Sequence, residues 1–134
     1  MSLTTCPCGS LQPYKICCQP YHLGKTFAPT AQRLMQSRYA AFVRKDAEYL
    51  HRTWAKQTRP SKAEIAQFAP ITWQRLQILE VQAGGELDTQ GIVTFVAQFA
   101  DAQGKQGSHQ EESQFIREKG RWVYLVGDTL IQSL

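Results

Sequence analysis

All four cysteines of the chain fall within its first eighteen positions, as Cys6-Pro7-Cys8-Gly9-Ser10 and then Tyr14-Lys15-Ile16-Cys17-Cys18. Thiolate sulfurs are soft donors that favour tetrahedral zinc, and two close pairs joined by a short loop converge on one ion without a large fold to hold them. The competing use of such residues is disulfide bonding. One residue separates Cys6 from Cys8 and Cys17 adjoins Cys18, so a bridge within either pair would be strained, while bridges across the loop stay open. The opening residues Met1-Ser2-Leu3-Thr4-Thr5 form neither a basic segment nor an apolar run, and no later stretch is long and apolar enough to span a bilayer as a helix. The expected setting is cytoplasmic, where thiols stay reduced and hold metal in preference to pairing.

The residues around the cysteines suit a zinc knuckle. Gly9 and Ser10 make a turn after Cys8 that lets backbone amides face the sulfurs, and Pro7, Pro13 and Pro20 restrict the loop before it folds. Four thiolates around one dication leave no open coordination position, and closed zinc sites support folding or recognition where catalytic ones keep a water.

The spacing Cys-Pro-Cys-Gly-Ser, a tyrosine, then Cys-Cys resembles the SEC-C motif, a short zinc-binding element. The resemblance implies Cys6, Cys8, Cys17 and Cys18 as ligands. His22 is a rival for the fourth place, because adjacent ligands are awkward and one helical turn beyond Cys18 would carry His22 to the metal. Otherwise His22 is a partner of a ligand or a surface histidine.

With 134 residues, 43% of them hydrophobic and 19% charged, the chain is long enough for one compact domain plus the knuckle. The formal net charge of +4 drops by two once four thiolates and a dication are counted, which makes basicity a weak pointer to nucleic acid. The expected division is 1–24 for the knuckle and 25–134 for the domain.

Within that domain Thr30 is placed to cap a helix over 31–44, in which Leu34, Met35, Arg38, Tyr39, Phe42 and Val43 recur at helical spacing. Asp46 opens a second helix through Trp54, and a third short one runs from Ser61 to Phe68 before Pro70. Beyond Pro70 the pattern alternates. It predicts strands over 72–82, 90–100, 107–117 and 121–126, with turns at Gly84-Gly85, Gly104 to Gly107 and Lys119-Gly120. Sequential strands on short turns make an antiparallel meander, and helices followed by a curved sheet give an α+β fold of cystatin-like or NTF2-like shape.

The runs Leu34-Met35-Gln36-Ser37-Arg38-Tyr39-Ala40-Ala41-Phe42, Tyr49-Leu50, Thr53-Trp54, Glu111-x-Ser113-x-Phe115 and Trp122-x-Tyr124 resemble the YchJ or UPF0225 family of bacterial proteins over nearly the whole chain. The resemblance implies an amino-terminal SEC-C element joined to an NTF2-like domain and transfers no activity. Many members carry a second SEC-C element at the carboxy terminus; no cysteine follows Cys18 here, so capture of a partner through two zinc elements is not expected.

Strand alternation places His109, Glu111, Ser113 and Phe115 on one face, and parity with Phe115 turns Glu111 inward. A buried carboxylate needs a donor or a cation, and Arg38, which interrupts the apolar stripe of the first long helix, is the expected partner. Tyr39, His51 and Trp54 complete the candidate lining. In the catalytic reading Glu111 is a general base, Arg38 holds an anionic substrate, and His51 or His109 moves a proton. In the structural reading, placed first, Arg38 and Glu111 are an ion pair fixing helix over sheet.

Two functions follow. The first is a non-catalytic adaptor whose knuckle docks on a protein or ribosomal surface through Leu11, Tyr14, Lys15, Ile16 and Tyr21, with the domain supplying a second surface or a homodimer interface. The alternative is a small-molecule-binding protein or enzyme using the concavity. Nucleic-acid binding ranks third, through Lys15, Lys25, Arg33, Arg38, Arg44, Lys45, Arg52, Lys56, Arg59 and Lys62.

Overall fold

The computed structural model describes residues 5–67 and 71–133, with side chains as far as Asp128. After a 3₁₀ turn at Tyr14–Ile16 come helices α1 (Gln19–His22), α2 (Ala31–Arg44), α3 (Ala47–Arg52) and α4 (Lys62–Ala66), then strands β1 (Thr72–Ala83), β2 (Gln90–Ala100), β3 (Gln106–Glu118) and β4 (Arg121–Ser133). The strands form one antiparallel sheet in the order β1-β2-β3-β4, and α2 crosses it. This is the NTF2-like arrangement expected from the sequence.

Helices α2, α3 and α4 each start where a side chain satisfies the free amides of the first turn. Thr30 Oγ1 accepts from the Arg33 amide at 3.1 Å, Asp46 Oδ1 from the Tyr49 amide at 3.1 Å, and Ser61 with Glu64 forms a reciprocal capping box on α4. The sequence predicts α3 as far as Trp54, but it ends at Arg52. There Thr53 Oγ1 turns back to the Tyr49 carbonyl, and the chain leaves the helix to bond with β4: the Tyr124 amide donates to Thr53 O at 2.8 Å and the Ala55 amide to Tyr124 O at 2.7 Å. The predicted end of the third helix, at Phe68 and Pro70, lies outside the described residues.

The predicted strands match to within a residue or two except the last. The fourth, expected to end at Val126, continues through Gly127 and Asp128 to Ser133. Irregularities in the β3–β4 pairing at Gln110/Glu111 and Gln114/Phe115 add residues to β4, and bulges of this kind increase a strand's local twist. The Lys119-Gly120 turn has positive φ at both residues, 53° and 82°, as a tight two-residue hairpin requires.

The core lies between α2 and the sheet, from Leu34, Met35 and Tyr39 on the helix to Val93, Phe95, Phe115 and Trp122 on the strands. Burying each such side chain contributes about 1.5–3 kcal/mol. Close approach at one end depends on glycine. A Cβ at Gly91 would come within 2.8 Å of the Gly84 amide, and one at Gly84 within 2.8 Å of Ala31 Cβ, so the start of α2 rests on a bare patch of sheet, held by the Ala31 amide on Gly84 O at 2.9 Å. Farther along, Met35, Arg38, Tyr39 and Phe42 of α2 face the sheet across a cavity.

Candidate functional site

At the amino terminus the four cysteine sulfurs lie within 4.8 Å of one another. Cys8 and Cys17 are 3.6 Å apart and Cys17 and Cys18 are 4.0 Å apart. A tetrahedral ion with sulfur ligands at about 2.3 Å sets neighbouring sulfurs about 3.8 Å apart, whereas a disulfide needs about 2.05 Å. All four cysteines are free, and the ring of sulfurs has the size and chemistry of a metal site. Without a cation such a cluster cannot ionise fully: hydrogen bonds to Cys6 and Cys8 push the Cys18 thiol far up, while hydrogen bonds from Cys18 and Cys6 hold Cys8 as a thiolate. A bound dication displaces the remaining protons.

The cluster is clamped to the domain. Buried Ala40 of α2 packs against Cys6, Cys8, Tyr14 and Cys18. His22 lies behind them with both ring nitrogens used: Nδ1 is 2.6 Å from the Tyr14 hydroxyl and Nε2 is 2.8 Å from the Ser37 carbonyl oxygen. A carbonyl only accepts, so Nε2 carries the proton and Tyr14 donates to Nδ1. Burial holds the ring neutral by lowering its pKa. His22 therefore has both ring nitrogens engaged in the packing, and the sulfurs of Cys6, Cys8, Cys17 and Cys18 cluster without it.

Two further groups touch the sulfurs. Ser10 Oγ lies 3.1 Å from Cys17, as its place in the turn suggests. Arg33, which the sequence offers only as one basic residue among many, places Nη2 3.6 Å from Cys17 and 3.9 Å from Cys18 while stacking on Tyr21. A guanidinium there offsets the negative charge of a four-thiolate centre.

The second feature is a cavity of about 520 Å³ between α2 and the sheet. Its walls are mostly apolar and aromatic, including Phe42, Trp54, Trp73, Phe95 and Phe99, and its polar groups are Arg38, Tyr39, His109, Glu111, Ser113 and Tyr124. Arg38 is 3% exposed; its guanidinium sits between the Trp54 and Tyr124 rings, 5.0 and 4.8 Å from their centroids. Nη1 donates to Leu50 O at 2.9 Å and Thr53 Oγ1 at 2.7 Å, and burial lowers the pKa to about 10, still charged at neutral pH.

Glu111 is bound from three sides. His109 Nε2 lies 2.8 Å from Oε1, while Ser113 Oγ and Tyr124 Oη donate to Oε2 at 2.7 and 3.2 Å. Burial works against its charge, but these donors outweigh it and hold the carboxyl below its usual range. Room for the carboxylate exists because position 127 is glycine: a Cβ there would overlap the Glu111 carboxyl group and stand 2.8 Å from the Tyr124 hydroxyl.

Family comparisons fit both features. Residues 4–20 match the SEC-C motif, and residues 30–127 match the model described as YchJ, middle NTF2-like domain. A UPF0225 protein of Streptomyces coelicolor is 42% identical over 97% of this chain and 99% of its own length. The chain belongs to the YchJ (UPF0225) family. A UPF0225 protein of Streptomyces avermitilis is 43% identical over 92% of this chain and 84% of its own length. Among solved structures, a SEC-C motif containing protein from Rhodopseudomonas palustris superposes with a TM-score of 0.85 at 31% identity, covering 95% of this chain and 99% of that one. A SEC-C motif containing protein from Psychrobacter arcticus gives 0.79 at 28% identity, covering 99% and 86%. Similarity to a putative Ca/calmodulin-dependent kinase II association domain from Exiguobacterium sibiricum, with a TM-score of 0.56 at 15% identity over 78% of this chain and 95% of that one, shows the shared fold alone.

In this YchJ-family chain the expected cavity residues divide. Arg38, Tyr39, Trp54, His109, Glu111 and Ser113 line the cavity. Phe115 shares their face but is wholly buried in the core. His51 is absent from the lining, since α3 buries Tyr49 and Leu50 instead; slight burial, with the nearby Arg59 and Lys62, lowers its pKa. The expected Arg38–Glu111 ion pair does not form among the described residues: Arg38 is held by α3 and the loop after it, Glu111 by its own sheet. Tyr124 and Gly127 are the members that sequence reasoning left out as site residues. The Trp122-x-Tyr124 run marks the first, whereas Gly127 reads as a strand end.

The docking residues expected around the knuckle divide as well. Leu11 and Ile16 are 82% and 67% exposed, but Tyr14 is buried beneath the Arg44 guanidinium. Of the ten basic residues that suggest nucleic acid, Arg33, Arg38, Arg44 and Arg52 stack on rings of the protein itself. Among the described residues no helix is long and apolar enough to cross a membrane.

Proposed function

We propose that the knuckle of residues 1–24 holds zinc as a structural ion and that the domain of residues 25–134 binds a small molecule in its cavity. The observation that carries this reading is the separation of Arg38 from Glu111. A structural ion pair would close the space between helix and sheet; here each charge has its own protein partners and both line an open cavity with aromatic walls. Aromatic walls with a few fixed polar groups suit a ligand with a flat apolar body and a polar or anionic head. Zinc is favoured by four soft thiolates in a closed tetrahedral set, which leaves the ion no place for substrate.

The cavity is tested with 4-nitrobenzoate, an aromatic monoanion, by quenching of Trp54 and Trp73. Saturable quenching that Arg38→Met weakens at least tenfold supports the reading; quenching unchanged by Arg38→Met and by Trp54→Phe refutes it. The metal is tested by atomic emission on purified protein, where one zinc per chain is expected and a chain purifying with iron in its place overturns the assignment.

A second reading, recognition of a protein partner through the knuckle, draws support from Leu11, Ile16 and Leu23. They are 82%, 67% and 60% exposed beside the cluster. In a pull-down, Ile16→Asp would release a true partner while zinc content stays the same; a bound protein indifferent to Ile16→Asp and Leu11→Asp counts against it.

A further inference from the structure

Two adjacent groups in the cavity are arranged for proton transfer, with roles different from those suggested by sequence. Glu111 is a poor candidate for the base, because its carboxylate already accepts from His109, Ser113 and Tyr124. A carboxylate only accepts, so the His109 nitrogen facing it, Nε2, must carry hydrogen, and the neutral ring then has its lone pair on Nδ1. Among the described residues Nδ1 has no hydrogen-bond partner, and the ring lines the cavity between Trp73 and Phe95. The other titratable or charged groups lining the cavity are Arg38 and Tyr39 from α2 and Tyr124 from β4. None of them is an anion that competes for the proton at neutral pH, and Arg38 is a fixed cation in an apolar setting where it stabilises developing negative charge.

We propose that His109 is the proton acceptor of this cavity and Glu111 its positioning residue, acting on a carbon acid whose carbonyl oxygen lies toward Arg38. This rests on the cavity reading above. In the step, the substrate C–H bond breaks, the proton goes to Nδ1, and the electron pair moves into the carbonyl as an enolate. Return of the proton to a second carbon gives an isomerisation that needs neither oxidant nor further reactant. Glu111 stabilises the imidazolium formed in between, and Gly127 keeps the space in which the carboxylate can do so.

The test uses 5-nitrobenzisoxazole, a flat probe of base strength in apolar sites. Proton removal from its ring carbon forms the nitrile, breaks the N–O bond, and releases 2-cyano-4-nitrophenolate, which is followed by absorbance. Wild-type turnover is expected to fall about 100-fold in His109→Gln, the usual contribution of a positioned base. Quenching of Trp54 and Trp73 by the probe should be unchanged in that variant. Full turnover by His109→Gln with the probe still bound overturns the proposal while leaving the cavity reading intact. No quenching in the wild type removes the cavity reading and this proposal with it. For Glu111, long-range ¹H–¹⁵N spectra of the His109 ring should show Nδ1 unprotonated in the wild type and a mixture of tautomers in Glu111→Gln. A wild-type ring protonated on Nδ1 at neutral pH refutes the assigned roles.

Discussion

Replacing Gly127 by alanine separates the site geometry from generic backbone effects, because the two predict opposite signs. A glycine within a strand weakens it, and alanine at a compatible backbone position stabilises by about 0.5–1 kcal/mol. Position 127 is within β4, and its φ is not in the left-handed region. In this structure, however, the new Cβ would occupy the place of the Glu111 carboxylate and crowd the Tyr124 hydroxyl. The carboxylate must rotate out, losing its bonds from Ser113 and Tyr124. Hydrogen bonds to a charged group contribute about 1.5 kcal/mol or more each, so the loss is about 3 kcal/mol and the net destabilisation about 2 kcal/mol. For a domain of this size that lowers Tm by about 8 °C. Urea unfolding of the four members of a double-mutant cycle with Glu111→Ala measures it. Gly127→Ala should be nearly neutral in the Glu111→Ala background, with a coupling energy of about 2–3 kcal/mol. A Gly127→Ala protein as stable as the wild type, with intact Glu111, refutes the reasoning.

Three other predictions address the knuckle. Cys8→Ser should abolish stoichiometric metal binding and, since Tyr14 and His22 pack on α2 and α3, also lower the melting temperature of the domain; metal retained at one per chain contradicts the cluster assignment. Arg33→Gln should keep the fold but weaken metal affinity about tenfold in competition with a chromophoric chelator, an unaltered affinity showing that the guanidinium is only stacked on Tyr21. His22 has a folded pKa below its unfolded value of about 6.5, so the stability it contributes is fully present above that pH and is lost as pH falls below it. The stability gap between wild type and His22→Gln should therefore shrink from pH 7.5 to pH 5.5 in urea titrations, and a gap independent of pH would show that the ring is not held neutral.

Much of this arrangement is legible in the chain because it depends on local chemistry. Thr30, Asp46 and Ser61 announce helix starts, since a capping oxygen bonds to amides three residues on. Alternation in β3 places Glu111 with His109 and Ser113, since side-chain direction along a strand has period two. His51 misleads because α3 is short and its rotation is set by Tyr49 and Leu50, which take the buried side against Ala41 of α2 and Ile65 of α4. Gly127 misleads for a different reason: glycine usually weakens a strand, and its use here is visible only with the carboxylate that lies across it.

The sequence by itself determines the cysteine cluster, the order of helices and strands, and the family, because spacing, capping and periodicity act between residues close in the chain. Tertiary structure alone decides that His22 is a packing residue, that Arg33 reaches the sulfurs, and that Arg38 and Glu111 face a common cavity without pairing. Those outcomes depend on where α2 lies against the knuckle on one side and the sheet on the other. Contacts between groups sixteen to ninety-three residues apart, from Arg33 with Cys17 to Trp122 with Pro29, set that position, and no local pattern encodes them.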